Sequence, residues 1–205
     1  MKRYFLLPVI AFGLCIYIIA NQLNPNNTSE AKLPTPDIEF VGPEITITED
    51  DLIDINQMHC LATNIYHEAR GESYAGKVAV ANVTMNRVKN KKFPNTVCGV
   101  VYQAQTRENW KGNMVPKRNK CQFSWYCDGK SDDIVLTTSD GSVIKERMQA
   151  WEMSLLISSQ MIRGNLIDIT TGSTHYYNSD LANPYWAEHY VQVVQIDSHS
   201  FLKSE

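Results

Sequence analysis

From Leu52 to Ala69 apolar residues return at steps of three and four: Leu52, Ile55, Met58, Ala62, Ile65 and Ala69. That spacing puts them on one face of a helix and obliges the rest of the chain to cover that face. Thr48-Glu49-Asp50-Asp51 has the composition of a helix N-terminus, and Gly71 that of a C-terminal cap, so the predicted helix runs from there to about Arg70. A second helix is predicted from about Ser73 to Val88, with Ala75, Ala79 and Ala81 small enough for another element to approach. Phe93-Pro94-Asn95-Thr96 reads as a turn and residues 97–102 as a short helix. Residues 103–120 are polar and read as irregular, and residues 121–127 as a short strand or hairpin. A long helix follows over about 143–163, with Met148, Trp151, Leu155 and Ile162 expected on its buried side and Gly164-Asn165 ending it. Val191 and Val193 flank Gln192 in a tail with strand character over 190–196. The sum is an α+β domain over residues 48–205, mostly helical with a small β-element.

The segments before it differ in kind. Lys2 and Arg3 precede an uncharged apolar run from Tyr4 to Ala20. As a helix this run would nearly cross a hydrocarbon core of ~30 Å. The order basic, apolar, polar predicts a cytoplasmic N-terminus and an exported remainder. Ile18-Ile19-Ala20 supplies half of a small-x-small cleavage site, and Leu14 is bulky for a lipoprotein site at Cys15. An uncleaved signal anchor over residues 1–20 is therefore favoured over a cleaved signal peptide. Residues 21–47, punctuated by Pro25, Pro34, Pro36 and Pro43, read as a linker. The expected location is membrane-anchored with the domain in the periplasm or at the cell surface, or secreted if the segment is cleaved. In an exported domain Cys60, Cys98, Cys121 and Cys127 point to disulfides, whose pairing the sequence leaves open. The spacing from Cys121 to Cys127 does not match the close pair of a zinc site. A net charge of -3 gives no reason to expect nucleic acid as a partner, although Lys111, Lys117, Arg118 and Lys120 form a local basic stretch.

The candidate chemistry begins with Tyr66-His67-Glu68-Ala69-Arg70-Gly71-Glu72. Glu68 falls at the edge of the apolar face of the first helix. A carboxyl group there loses part of its hydration, which raises its pKa and lets it serve as a general acid. Glu72 shares that flank and reads more simply as a helix-end residue. His67-Glu68 fails the metalloprotease pattern because Gly71 stands where the second histidine is needed. A zinc site assembled from scattered histidines, or a nucleophilic Cys60 or Cys121, is a weaker alternative. Cys121-Gln122-Phe123-Ser124-Trp125-Tyr126-Cys127 and Thr174-His175-Tyr176-Tyr177-Asn178 each join amides, hydroxyls and aromatic faces, the means by which proteins hold sugars; each also suits a packed core with tyrosines at its edge.

Taken together, several segments resemble the SleB/CwlJ-type cell-wall hydrolases. They are Tyr66-x-Glu68-Ala69-Arg70-Gly71-Glu72, Val78-Ala79-Val80-Ala81-x-Val83-x-Met85-Asn86-Arg87-Val88, and Phe93-Pro94-Asn95-Thr96-Val97-Cys98-Gly99-Val100-Val101-Tyr102-Gln103. Cys121-Gln122-Phe123-Ser124, Thr174-His175-Tyr176-Tyr177, Pro184-x-Trp186 and His199-x-Phe201 complete the set. The resemblance covers about residues 58–203 in the family's order. It implies a lysozyme-like fold close to lytic transglycosylases. It puts the catalytic glutamate at Glu68, with Gln122, Phe123 and Ser124 beside the cleft and His175, Tyr176 and Tyr177 forming another wall. Family members include spore cortex-lytic enzymes; general wall remodelling or phage-encoded lysis fits equally well here.

The implied substrate is peptidoglycan, cut between N-acetylmuramic acid and N-acetylglucosamine without metal or cofactor. Glycosidases generally use two carboxylates. Here Glu68 is the clear one and Asp128 a weak second, so the single-acid route to a 1,6-anhydro product that the resemblance implies is preferred. The alternatives are an amidase or peptidase acting on the stem peptide, and a non-catalytic wall-binding envelope protein.

Overall fold

The computed structural model describes residues 48–205. The expected membrane segment and linker, residues 1–47, lie outside the described residues. Among the described residues no helix is long and apolar enough to cross a membrane.

Helix α1 spans Glu49–Ala69, α2 Tyr74–Lys89, the short α3 Val97–Val101 and α4 Lys145–Ile162. Between α3 and α4 lie β1 (Ala104–Glu108), β2 (Met114–Cys121) and a 3-10 turn at Ser124–Cys127. After α4 come β3 (His175–Asn178), a second 3-10 turn at Tyr185–His189, β4 (Val191–Ile196) and β5 (His199–Lys203). The sheets are an antiparallel β1-β2 hairpin and a three-stranded antiparallel sheet in the order β3-β5-β4. The α+β expectation therefore holds, with more strand than anticipated.

Two clusters share α2. Val78 and Ala81 join Leu61 and Ile65 of α1, Val100 of α3 and Ile157 of α4. Ala79 and Val83, on the other side of α2, pack on Phe201 of β5. A helix covered on both faces has no polar stripe, and residues 76–84 are all buried. Side-chain oxygens cap the entries to α2 and α3: Ser73 Oγ accepts from the Gly76 amide and Thr96 Oγ1 from the Gly99 amide. Gly76 is obligatory in this packing. A Cβ there would lie 2.3 Å from Asp197 Oδ2 and 2.8 Å from Glu72 Cβ.

Helices α1 and α4 contact along a seam that includes serines. The fully buried positions of α4 are Ser154, Ile157, Ser158 and Met161, whereas the predicted Met148, Trp151, Leu155 and Ile162 are only half-buried. Each serine hydroxyl donates to the carbonyl four residues earlier, Ser154 to Ala150 and Ser158 to Ser154, both at 2.8 Å. With its hydroxyl satisfied, serine behaves as a small residue at a close helix contact.

Other expectations need correction. Residues 103–120 are not irregular: they form the β1-β2 hairpin, whose loop is tied by Asn109 Oδ1 accepting from the amides of Lys111 and Asn113. The stretch 121–127 is not a strand or hairpin of its own: Cys121 ends β2, Ser124–Cys127 turn as a 3-10 element, and a disulfide between Cys121 and Cys127 closes the segment. The other disulfide joins Cys60 of α1 to Cys98 of α3. Gly71 is not among the left-handed glycines. Helix α1 instead ends where the Glu72 amide turns back to the Ala69 carbonyl at 3.0 Å. Ala75 is exposed, so only Ala79 and Ala81 provide the close approach.

Candidate active site

The last turn of α1 brings Glu68 to the wall of a cleft of about 460 Å³. Ser124, Trp125, Asp128 and Asp132 also line it. Trp125 is held from below. Its indole Nε1 donates to Asn64 Oδ1 at 3.0 Å, and Asn64 Nδ2 donates to Thr84 Oγ1 at 3.2 Å. This buried chain of bonds links the cleft floor to α1 and α2. His67 stacks on Trp125 with ring centroids 4.5 Å apart, and its Nε2 donates to the Asp132 carbonyl at 3.2 Å. Burial is the main reason the His67 imidazole titrates below its ordinary value.

Glu68 meets the C-terminal sheet. The Tyr176 hydroxyl donates to Glu68 Oε2 at 3.0 Å. Burial pushes the Glu68 pKa above the ordinary carboxylate range; the Tyr176 hydrogen bond and the positive charge of Arg87 oppose that rise without cancelling it. Burial and the neighbouring carboxyl group push the Tyr176 phenol well above its usual value, so it remains a neutral donor. The Arg87 guanidinium lies between the rings of Phe123, 4.9 Å away, and Phe93, 5.4 Å away. Its Nε donates to the Thr174 carbonyl at 2.8 Å, while Nη1 is buried without a hydrogen-bond partner. Next to it, Asn86 Nδ2 donates to the Ser173 carbonyl and to Asp168 Oδ2. Adjacent residues of α2 thus fasten the loop that delivers β3, and β3 delivers Tyr176.

Strand alternation separates the predicted trio at 175–177. Tyr176 turns toward Glu68, packing beside His199 and Phe201 at 5.4 and 5.6 Å. His175 and Tyr177 turn the other way, to Trp186 at 6.0 and 5.9 Å, and His175 also meets Tyr190 at 4.2 Å. Burial, with help from Arg87 and Lys92, holds the His175 pKa down to about 4, so it is uncharged at neutral pH. Of the other predicted group, Ser124 reaches the cleft and Gln122 is exposed. Phe123 is only 2% exposed and lies against Arg87 in the core. Its position suits support of the site rather than contact with a ligand.

Sequence reasoning missed Arg87 and the His67–Trp125 stack. An arginine among Val83, Met85 and Val88 of a largely apolar helix was the available signal for the first. The weak candidate Asp128 does line the cleft, paired with Lys130 at 3.8 Å. All four domain cysteines are oxidised and cannot act as nucleophiles. Among the described residues, no group of three or more His, Cys, Asp or Glu side chains is arranged to hold a metal ion.

The link between Tyr176 and Glu68 gives a signed prediction. The phenol stabilises the ionised carboxylate, so Tyr176→Phe should raise the Glu68 pKa further. The alkaline limb of a pH–activity profile should move to higher pH. A limb that stays in place would separate the titration from this hydrogen bond.

Comparison with known proteins extends the picture. A family model described as Cell Wall Hydrolase matches residues 71–202, beginning just beyond Glu68. The chain is 29% identical over 150 residues to a spore cortex-lytic enzyme of Bacillus cereus, covering 72% of this chain and 44% of that protein. It is equally identical, over the same length, to a spore cortex-lytic enzyme of Oceanobacillus iheyensis, covering 42% of that protein. It therefore spans less than half the length of these curated relatives. Among solved structures, the catalytic domain of the Bacillus cereus SleB protein aligns with a TM-score of 0.50 at 30% identity, over 73% of this chain and 91% of that one.

Proposed function

The chain belongs to the cell wall hydrolase family, and from that premise we propose that it cleaves peptidoglycan glycan strands between N-acetylmuramic acid and N-acetylglucosamine as a lytic transglycosylase. The observation that carries this reading is a sheltered carboxyl group on a cleft wall. Glu68 has its pKa raised by burial and accepts from one phenol on Oε2. Such a group keeps its proton at a pH where an exposed glutamate has lost it.

The protonated Glu68 donates to the bridging glycosidic oxygen as the bond from that oxygen to muramic C1 breaks. The substrate's own N-acetyl oxygen stabilises the positive charge at C1. The Glu68 carboxylate then takes the proton from the muramic C6 hydroxyl, and O6 bonds to C1. The proton balance closes on Glu68, no water is consumed, and the products are a free N-acetylglucosamine end and a 1,6-anhydromuramic end. Tyr176 supports the ionised intermediate through its hydrogen bond, and Arg87 through its charge.

This reading also assigns the chain a place outside the cytoplasmic membrane, held by the apolar run over 1–20. Two disulfides support an oxidising compartment. Mass spectrometry of muropeptides released from purified sacculi by the full chain tests the reaction. Anhydro-muramic ends are expected. Ordinary reducing ends would instead indicate hydrolysis, and new free amines without glycan scission would replace the proposal with an amidase.

A further inference from the structure

The two strands of the hairpin do not pair evenly. Thr106 faces Pro116, and Ala104 faces Cys121. Gln105 therefore stands opposite Lys117, Arg118, Asn119 and Lys120, which are pushed out as a bulge. All of these bulge residues are exposed, and Asn119 turns through the left-handed region at φ 56°. None of the three cations has an acidic partner among the described residues, whose ion pairs are Lys130–Asp128 and His199–Glu72. In a chain of net charge -3, this is a local concentration of unpaired positive charge rather than a share of a general surplus.

Its position relates it to the cleft. The base of the hairpin is closed by the Gln122 amide donating to the Gln103 carbonyl at 2.9 Å, two residues before the cleft-lining Ser124. On the same rim the Arg118 guanidinium lies over Gly129, whose φ is +86°. A Cβ there would meet Arg118 Cζ and Nε at 3.5 Å. Gly129 sits between Asp128 and Lys130, both of which line the cleft.

We propose that this bulge binds the carboxylates of stem peptides carried by the glycan strand in the cleft, so that the enzyme prefers peptide-bearing strands to bare ones. The inference rests on the glycan-cleavage reading above. A strand bound in the cleft would carry its peptides on the lactyl groups of muramic acid, and Arg118 over Gly129 sets the bulge beside that cleft. A guanidinium flanked by two ammonium groups suits carboxylates held at variable positions. The location on the cleft rim favours a group attached to the substrate over a separate anionic surface.

The test compares initial rates of the full chain on purified sacculi and on the same sacculi stripped of peptides by an amidase. Single exposed ion pairs are weak, but three acting together should make K117Q/R118Q/K120Q lower the ratio of the two rates about tenfold. The charge-preserving K117R/R118K/K120R should hold that ratio within about twofold, and about 0.5 M salt should bring the wild-type ratio toward that of the neutral variant. An unchanged ratio in the neutral variant, or an equal loss on both substrates, overturns the inference alone. So does loss of binding to phosphatidylglycerol vesicles with the ratio unmoved, which would assign the bulge to lipid. A wild type that releases no glycan product from either substrate overturns the glycan-cleavage reading, and the inference falls with it.

Discussion

Glu68→Gln should fold as the parent does and release muropeptides at least about a thousandfold more slowly, because the amide can neither donate the first proton nor accept the second. Glutamine keeps the volume and can still accept from the Tyr176 hydroxyl, so the loss would be chemical rather than structural. Stability provides the control. The folded carboxyl group titrates above its unfolded counterpart, so the folded state holds its proton to higher pH. Wild-type stability should therefore fall as pH rises from the unfolded value through the folded one, and the penalty persists above both. The glutamine variant carries no such penalty. At neutral pH its melting temperature should match or exceed that of the parent, and its stability should depend less on pH across this window. A variant with high residual lytic activity would remove Glu68 from the mechanism; an inactive variant with a collapsed melting temperature would leave Glu68 a structural residue.

Breaking the Cys60–Cys98 disulfide should cost the fold more stability than breaking the Cys121–Cys127 one. The bond closes a loop with a sequence separation of 38, and constraining a loop of that size in the unfolded chain stabilises by about 4 kcal/mol. The Cys121–Cys127 bond has a separation of only 6 and should contribute about 2 kcal/mol. Cys60 also belongs to the main core cluster, where α1 meets α3. Urea unfolding of C60A/C98A against C121A/C127A measures the difference. A larger loss from the short loop would reverse the ranking and assign the main effect to local geometry around the cleft.

The helices were legible because their signal is local. The period of α1, the turn at Phe93-Pro94-Asn95-Thr96 and the Gly164 stop all act within a few residues. The buried stripe of α4 does not follow its large apolar residues. Ser154 and Ser158 satisfy their hydroxyls within the helix and are fully buried. The hairpin was illegible because both its faces are largely wet, leaving no alternation to read. At the site, Glu68 and Tyr176 could be picked out as residue types suited to the chemistry. That they meet could not, since the bond between them spans a sequence separation of 108. Arg87 was hidden for a related reason: its charge is accommodated by two aromatic faces from different segments.

The long-range bond between Glu68 and Tyr176 has a consequence for timing. Tyr176 faces Phe201 in the pairing of β3 with β5. A chain in which β3 and β5 have not yet paired carries the acid without the hydroxyl that tunes it. The pH at which Glu68 gives up its proton is therefore set only once the C-terminal sheet has assembled.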